Sequence, residues 1–124
     1  MLKKLSEEIH KNNIEKGFYE DKKNIGEMLC LVHSEVSEAL EADRKSKYTN
    51  IPEKLWVEIE EQPNDAKFRK AFLYNIKDTF EDEIADAMIR LMDLAAYKGI
   101  DIERHIRAKV RFNSLRKYKH GKKY

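Results

Sequence analysis

Apolar residues recur three and four positions apart along most of the 124-residue chain. This spacing places them on one face of an α-helix, which a helix buries against its neighbours. No segment alternates apolar and polar residues between turn markers, as a half-buried strand would. The spacing therefore predicts an all-α fold. Its clearest run comprises Phe80, Ile84, Ala87, Met88, Leu91, Leu94 and Ala95.

The ends of the helices are indicated by residues that cap or stop helices. Asn24 and Asp101 are candidate N-caps, and Gly99 is a candidate C-terminal stop. Pro52 and Pro63 mark two short helices in a stretch whose apolar pattern is weaker. We expect a bundle of four main helices in a single domain, residues 1–124, with an insertion at 48–75 and a basic tail at 113–124. The main helices are predicted over 2–15, 24 to 44 or 47, 76 or 78 to 98, and 101 to 111 or 115.

Composition points to a protein of the cytoplasm. Cys30 is the only cysteine, so neither an intrachain disulfide nor a cysteine-based metal cluster can form, as is typical of a reducing compartment. The first ten residues lack an apolar signal region. The longest apolar run, Met28 to Val32, is far too short for a membrane span. We expect neither export nor membrane insertion.

The charges are divided unevenly along the chain. Residues 104–124 carry nine of the 25 Lys and Arg residues and no Asp or Glu, although the formal net charge is only +2. Such a tail, with Phe112 and Tyr118 interleaved, could bind nucleic acid through its phosphates. This reading leaves the inward-facing carboxylates described next unexplained, so we treat a non-enzymatic nucleic-acid-binding or interaction protein as the alternative.

Two pairs of acidic residues carry the chemistry of the sequence. Glu35 and Glu38 are three residues apart on the second predicted helix, and Glu83 and Asp86 are three apart on the third. Each pair falls in the apolar sector of its helix, so these side chains are expected to point inward. Buried carboxylates are costly unless a cation neutralises them. Arg90, one turn beyond Asp86, is expected to form an ion pair or to contact a phosphate.

Oxygen-only ligation suits Mg²⁺ or Mn²⁺. The four histidines are scattered and form no zinc-type set with Cys30. A ferritin-like di-iron site would need two Glu-x-x-His pairs, and the chain has only Glu7 with His10. The sequence therefore predicts a magnesium site formed by four carboxylates.

The two pairs also resemble the signature of the MazG-like all-α nucleoside triphosphate pyrophosphohydrolases, an EExxE helix followed by an ExxD helix. Here the motifs read SEVSE at 34–38 and EIAD at 83–86. The resemblance extends over EIHKNNIEKGF, over NIGEMLCLVHSEVSEALEADRK and from KDTFED to the C-terminus. The chain departs from the family in two respects: Ser34 replaces the first glutamate, and the insertion is longer than in minimal members.

The resemblance implies a hydrolase that cuts a nucleoside triphosphate, in particular a deoxynucleoside triphosphate, into the monophosphate and pyrophosphate. Glu35, Glu38, Glu83 and Asp86 would bind the catalytic Mg²⁺, for which Mn²⁺ could substitute. The metal would polarise the α-phosphate and lower the pKa of a bound water that attacks phosphorus in line.

The resemblance also implies a substrate contact surface and self-association. Members of the family commonly form their sites near subunit interfaces, so a homodimer or homotetramer is expected. Aromatic residues of the insertion, Trp56 among them, could stack on a base, although packing against the bundle is the simpler role. The residues expected to reach the phosphates or the sugar are Lys109, Asn113, Arg116 and Tyr118.

Overall fold

Helices make up all of the regular structure in the computed structural model, which describes residues 1–124. It contains no strand, so the predicted all-α class is confirmed. None of the helices has both the length and the apolar character needed to cross a membrane. The elements in chain order are α1 (Leu2–Glu15), α2 (Ile25–Arg44), α3 (Glu53–Glu60), α4 (Asp65–Asn75), α5 (Phe80–Tyr97), α6 (Ile102–Ser114) and a short 3-10 turn (Tyr118–Gly121).

Most predicted helix limits are confirmed, but α5 begins later than predicted. Asp78 has a left-handed backbone, with φ of 63°, so the helix cannot extend back through it. Thr79 then acts as the cap, since its hydroxyl accepts a hydrogen bond from the backbone N–H of Asp82 at 3.3 Å. The helix therefore starts at Phe80 and not at residue 76 or 78.

The predicted stop and cap around residue 100 are both present. Gly99 has a φ of +67°, which a residue with a Cβ rarely adopts. The N–H of Ile100 donates to the carbonyl of Ala95 at 2.8 Å, and that of Gly99 to Ala96 at 2.9 Å, which closes α5 as a Schellman motif. Asp101 then caps α6 by accepting a hydrogen bond from the N–H of Arg104 at 3.1 Å.

The chain divides into two compact units. One comprises Met1–Ile25 with Leu91–Tyr124, and the other comprises Gly26–Arg90. The second contains α3 and α4, which lie within the stretch 48–75 where two short helices were predicted, and these two helices pack on each other. The grouping of the main helices into one bundle, with 48–75 as an insertion, stays a prediction.

In the first unit, α1 packs on α6 and is joined to the residues at the end of α5. The buried Ser6 hydroxyl donates to the carbonyl of Met92 at 2.6 Å. Nδ1 of His10 lies 2.8 Å from Asp93 Oδ1, and the Tyr19 hydroxyl donates to Asp93 Oδ2 at 2.6 Å. Both oxygens of this buried carboxylate are thus satisfied. Asp93 therefore ties α1 and the segment after it to the end of α5.

In the second unit, the segment after α2 is held to the start of α5. The backbone N–H of Phe80 donates to the carbonyl of Lys47 at 2.8 Å. The hydroxyls of Thr49 and Thr79 lie 2.9 Å apart, and the N–H of Thr49 donates to Glu81 Oε2 at 2.9 Å. The buried apolar residues of the second unit are Ala39, Ala42, Ile59, Ile76 and Ala87.

Several positions with core spacing are exposed, contrary to the expectation from periodicity. On α2 the buried apolar residues are alanines, whereas Val36 and Leu40 are 53% and 51% exposed. Ile84 and Met88 of α5 are also exposed. The apolar sector of each helix is wider than the face that one chain covers. Periodicity identified an apolar sector on each helix, but it could not show which part of that sector is covered.

Replacing Asp93 should destabilise the fold. Asp93→Ala leaves His10 and Tyr19 without their shared acceptor, and we expect the free energy of unfolding to fall by about 2–4 kcal/mol. Urea denaturation followed by circular dichroism measures the change. The exposed Asp21 provides the control, since Asp21→Ala should change it by no more than about 0.5 kcal/mol. Equal midpoints for the two variants would contradict the structural role of Asp93.

Candidate metal centre

Three of the four predicted carboxylates meet in the second unit. Glu35 and Glu38 come from α2, and Glu83 comes from the first turn of α5. One carboxylate oxygen of each lies within 4.8 Å of those of the other two. The three-residue spacing on α2 places both glutamates toward the same side of the helix. The arrangement is an oxygen-only cluster of the kind that hard divalent cations prefer.

The three carboxylates differ in burial. Glu35 is 7% exposed and Glu83 is 6% exposed, as the apolar sectors predicted. Glu38 is exposed, so the expectation that both glutamates of α2 point inward is wrong for Glu38. Glu38 lies about 60° around the helix from Glu35, beyond the narrow face that carries Ala39 and Ala42. The cluster therefore has a buried side and an open side.

Arg90 compensates part of this negative charge. Its Nε donates to Glu35 Oε1 at 2.7 Å, which confirms the ion pair expected for Arg90. The bond also fixes the orientation of the Glu35 carboxylate, and it uses only one of its two oxygens. Glu35 is therefore neutralised by the protein itself.

Glu83 has no such compensation. Its Oε2 is buried and has no hydrogen-bond partner. Burial raises the pKa of Glu83 to about 7, with further contributions from a hydrogen bond and the charge of Glu38 and from the charges of Asp86 and Glu35. A buried carboxylate among other carboxylates is held at a cost unless a cation approaches it. Glu83 is thus the residue of the cluster with the greatest need for a positive ligand.

Asp86, the fourth predicted ligand, is half-buried and is not among the three carboxylates that meet within 4.8 Å. Burial raises its pKa, as do the charges of Asp82 and Glu35, while Lys77 and Arg90 act in the opposite direction. Asp86 therefore lies within the electrostatic influence of the cluster.

A second trio of carboxylates was missed by sequence reasoning. Oxygens of Asp78, Asp82 and Glu83 also lie within 4.8 Å of one another. The sequence pattern marks Asp78 only as a possible start of the helix and assigns no role to Asp82. The four-residue spacing of the two aspartates could have drawn attention to them. The left-handed turn at Asp78 could not be read from the sequence.

The four predicted substrate-contacting residues belong to the first unit, on α6 and the segment after it. Lys109 Nζ lies 4.9 Å from the centre of the Phe112 ring, and the guanidinium carbon of Arg116 lies 5.7 Å from it. Asn113 Oδ1 is buried without a hydrogen-bond partner, whereas Tyr118 is exposed. The Phe112 ring thus lies near two cations, a contact that the sequence did not predict.

Neutralising Glu83 should stabilise the metal-free protein. Since its pKa is raised from the ordinary 4.5 to about 7, ionisation of Glu83 penalises the folded state increasingly between these pH values and fully above them. In EDTA at pH 8, Glu83→Gln should therefore raise the free energy of unfolding by about 1–3 kcal/mol. The gain should vanish near pH 4.5.

Denaturant titrations at the two pH values measure this difference. The matched control is Glu60→Gln on α3, because Glu60 is exposed and outside both trios. A loss of stability for Glu83→Gln at pH 8 would show that the ionised carboxylate is compensated within the metal-free protein.

Comparison of the chain with protein-family models, with curated proteins and with solved structures finds no match.

Proposed function

We propose that this protein is a Mg²⁺-dependent nucleoside triphosphate pyrophosphohydrolase that acts on a deoxynucleoside triphosphate and releases the monophosphate and pyrophosphate. The proposal is carried by one observation: the buried, unpartnered carboxylate oxygen of Glu83 in a cluster with Glu35 and Glu38. Such a group is costly to keep unless it binds a cation. The resemblance of SEVSE and EIAD to the MazG-like motifs gives the reaction class.

The residues of the cluster fit a magnesium ion. All of its donors are carboxylate oxygens, and the cluster contains neither the histidine nor the cysteine that zinc would favour. Glu35, Glu38 and Glu83 would hold the ion. Asp86, whose pKa is raised in part by the charge of Glu35, would add to the negative potential at the ion. Bound there, Mg²⁺ or Mn²⁺ would supply Lewis-acid polarisation of the phosphate and a water of lowered pKa.

The open side of the cluster is where a substrate can approach. Glu38 is exposed while Glu35 and Glu83 are buried, so the carboxylates form a site with a floor and one accessible edge. Arg90 orients the Glu35 carboxylate through its hydrogen bond of 2.7 Å. The chain thus holds a preorganised oxygen-ligand set, which a phosphoryl-transfer site requires.

The resemblance to the MazG-like family supports Lys109 and Arg116 as the residues that bind the phosphates. Lys109 and Arg116 present their charges beside Phe112, and cations placed at a transferring phosphoryl group stabilise the charge that develops there. Asn113, whose Oδ1 is buried without a hydrogen-bond partner, is proposed as a contact to the sugar. Tyr118, which is exposed, is proposed as a further contact to the nucleotide.

Removing one carboxylate without changing the shape of the site should abolish the activity. Purified protein is incubated with a panel of NTPs and dNTPs in Mg²⁺, and the products are resolved by chromatography. We expect monophosphate plus pyrophosphate, and a loss with Glu38→Gln of about 100-fold or more, as expected when one electrostatic group is removed from an active site. EDTA should abolish the reaction, and Glu60→Gln should retain it.

The products distinguish this proposal from its rivals. Release of diphosphate and inorganic phosphate would indicate cleavage at a different bond. The absence of cleavage with every nucleotide, for a protein whose circular dichroism shows it to be folded, would refute the proposed reaction. Salt-dependent binding of nucleic acid in that case would support the alternative based on the basic tail.

We further propose that the protein forms a homodimer or homotetramer through α2. Leu29, Val36 and Leu40 are between 42% and 53% exposed, and their spacing places them in one stripe. This stripe lies roughly 100–140° around the helix from Glu35, so it can pair without covering the carboxylate cluster. A contiguous apolar stripe is typical of a protein–protein interface.

A charge in the middle of this stripe should dissociate the oligomer. Light scattering should give a mass two or four times that of the 14.8 kDa chain for the wild type. Val36→Glu should move it to that of a single chain, because an ionised carboxylate is costly to bury in an interface. Val57→Glu, at an exposed valine of α3, is the control and should leave the mass unchanged. A single-chain mass for the wild type would contradict the proposal.

A further inference from the structure

The carboxylate of Glu83 belongs to two clusters at once. It lies within 4.8 Å of Glu35 and Glu38 in one trio, and of Asp78 and Asp82 in the other. Asp78 lies in the turn before α5, and Asp82 precedes Glu83 in the first turn of the helix. The only residue shared by the two trios is therefore the one whose oxygen is buried without a partner.

The charges around Glu83 are only partly compensated. Arg90 pairs with Glu35 at 2.7 Å, and Lys77 pairs with Asp78 at 3.1 Å at the exposed end of the second trio. Neither cation forms an ion pair with Glu83 or Asp82. Two positive side chains thus form ion pairs within a group of five carboxylates. Glu38, Asp82 and Glu83 have no ion pair, and Glu83 is the most buried of the three.

Helix capping explains the aspartates but not Glu83. Asp82 Oδ2 accepts a hydrogen bond from the backbone N–H of Asp78 at 2.9 Å, and acidic residues in the first turn of a helix are stabilised by its dipole. Neither effect requires a carboxylate to be buried. Glu83 is 6% exposed, and its Oε2 has no hydrogen-bond partner, so the second trio contains a group that calls for a ligand.

We propose that Asp78, Asp82 and Glu83 form a second divalent-cation position, with Glu83 shared between it and the position formed by Glu35 and Glu38. A carboxylate has two oxygens and can serve two cations, and Mg²⁺ retains several waters when few carboxylates bind it. Paired metal ions are a common arrangement in phosphoryl hydrolysis. This inference rests on the proposed function in one respect, that Glu83 also belongs to the first position.

The second position differs from the first in its exposure to solvent and in the side chain that competes with a bound cation. Asp78 is exposed, so a hydrated cation can enter from solvent. Lys77 already neutralises Asp78 from the exposed side, and a cation must compete with it there. The second position should therefore have the lower affinity for a divalent cation. It should fill at higher concentration than the first.

The test is the stoichiometry of Mn²⁺ binding, measured by electron paramagnetic resonance on the full chain. The variants are Asp82→Asn for the second position, Glu38→Gln for the first and Glu83→Gln for both, with Glu60→Gln as control. Asp82→Asn keeps the shape of the side chain, and circular dichroism checks that each variant is folded. We expect two ions for the wild type and the control, one for Asp82→Asn, one for Glu38→Gln, and at least a tenfold loss of affinity at both positions for Glu83→Gln.

The other outcomes separate the two proposals. One ion in the wild type, lost with Glu38→Gln and unaffected by Asp82→Asn, would overturn the second position and leave the proposed function intact. One ion lost with Asp82→Asn and unaffected by Glu38→Gln would support the second position and overturn the first. No Mn²⁺ bound to the folded wild type would overturn both. Two ions that are unaffected by Asp82→Asn would also overturn the assignment to Asp78 and Asp82.

Discussion

The burial of Glu83 among other carboxylates is the constraint on which the site depends. An ionised group at this position is opposed both by its loss of water and by its acidic neighbours, which is why its pKa rises to about 7. The protein supplies a cation to Glu35 through Arg90 and to Asp78 through Lys77, but it supplies none to the residue between them. This imbalance distinguishes the cluster from an ordinary acidic surface, where water screens each charge.

The sequence predicts those features of the site that depend on helix periodicity. A spacing of three residues placed Glu35 near Glu38, and the apolar sectors correctly predicted burial of Glu35 and Glu83. The same reasoning predicted an ion pair of Arg90, but not that its partner would be Glu35 on another helix. The spacing and burial that were predicted correctly are local to one helix, so a single sequence contains them.

What could not be predicted depends on turns and on the limits of burial. The left-handed backbone at Asp78 shortens α5 and brings Asp78 close to Glu83, and no pattern of residue types specified that turn. The exposure of Glu38 follows from how wide a face of α2 is covered, which is a property of its neighbours and not of its own sequence. Phe112 likewise has an ordinary helical spacing, and only the structure shows its ring near the charged groups of both Lys109 and Arg116.

The amount of apolar surface that the helices bury also affects the thermodynamics of unfolding. No large hydrophobic side chain of this chain is fully buried, and alanines account for much of its apolar interior. The heat-capacity increase on unfolding is set by the apolar surface that unfolding exposes. A single chain of this kind therefore has a small heat-capacity increment for its length and a shallow dependence of stability on temperature.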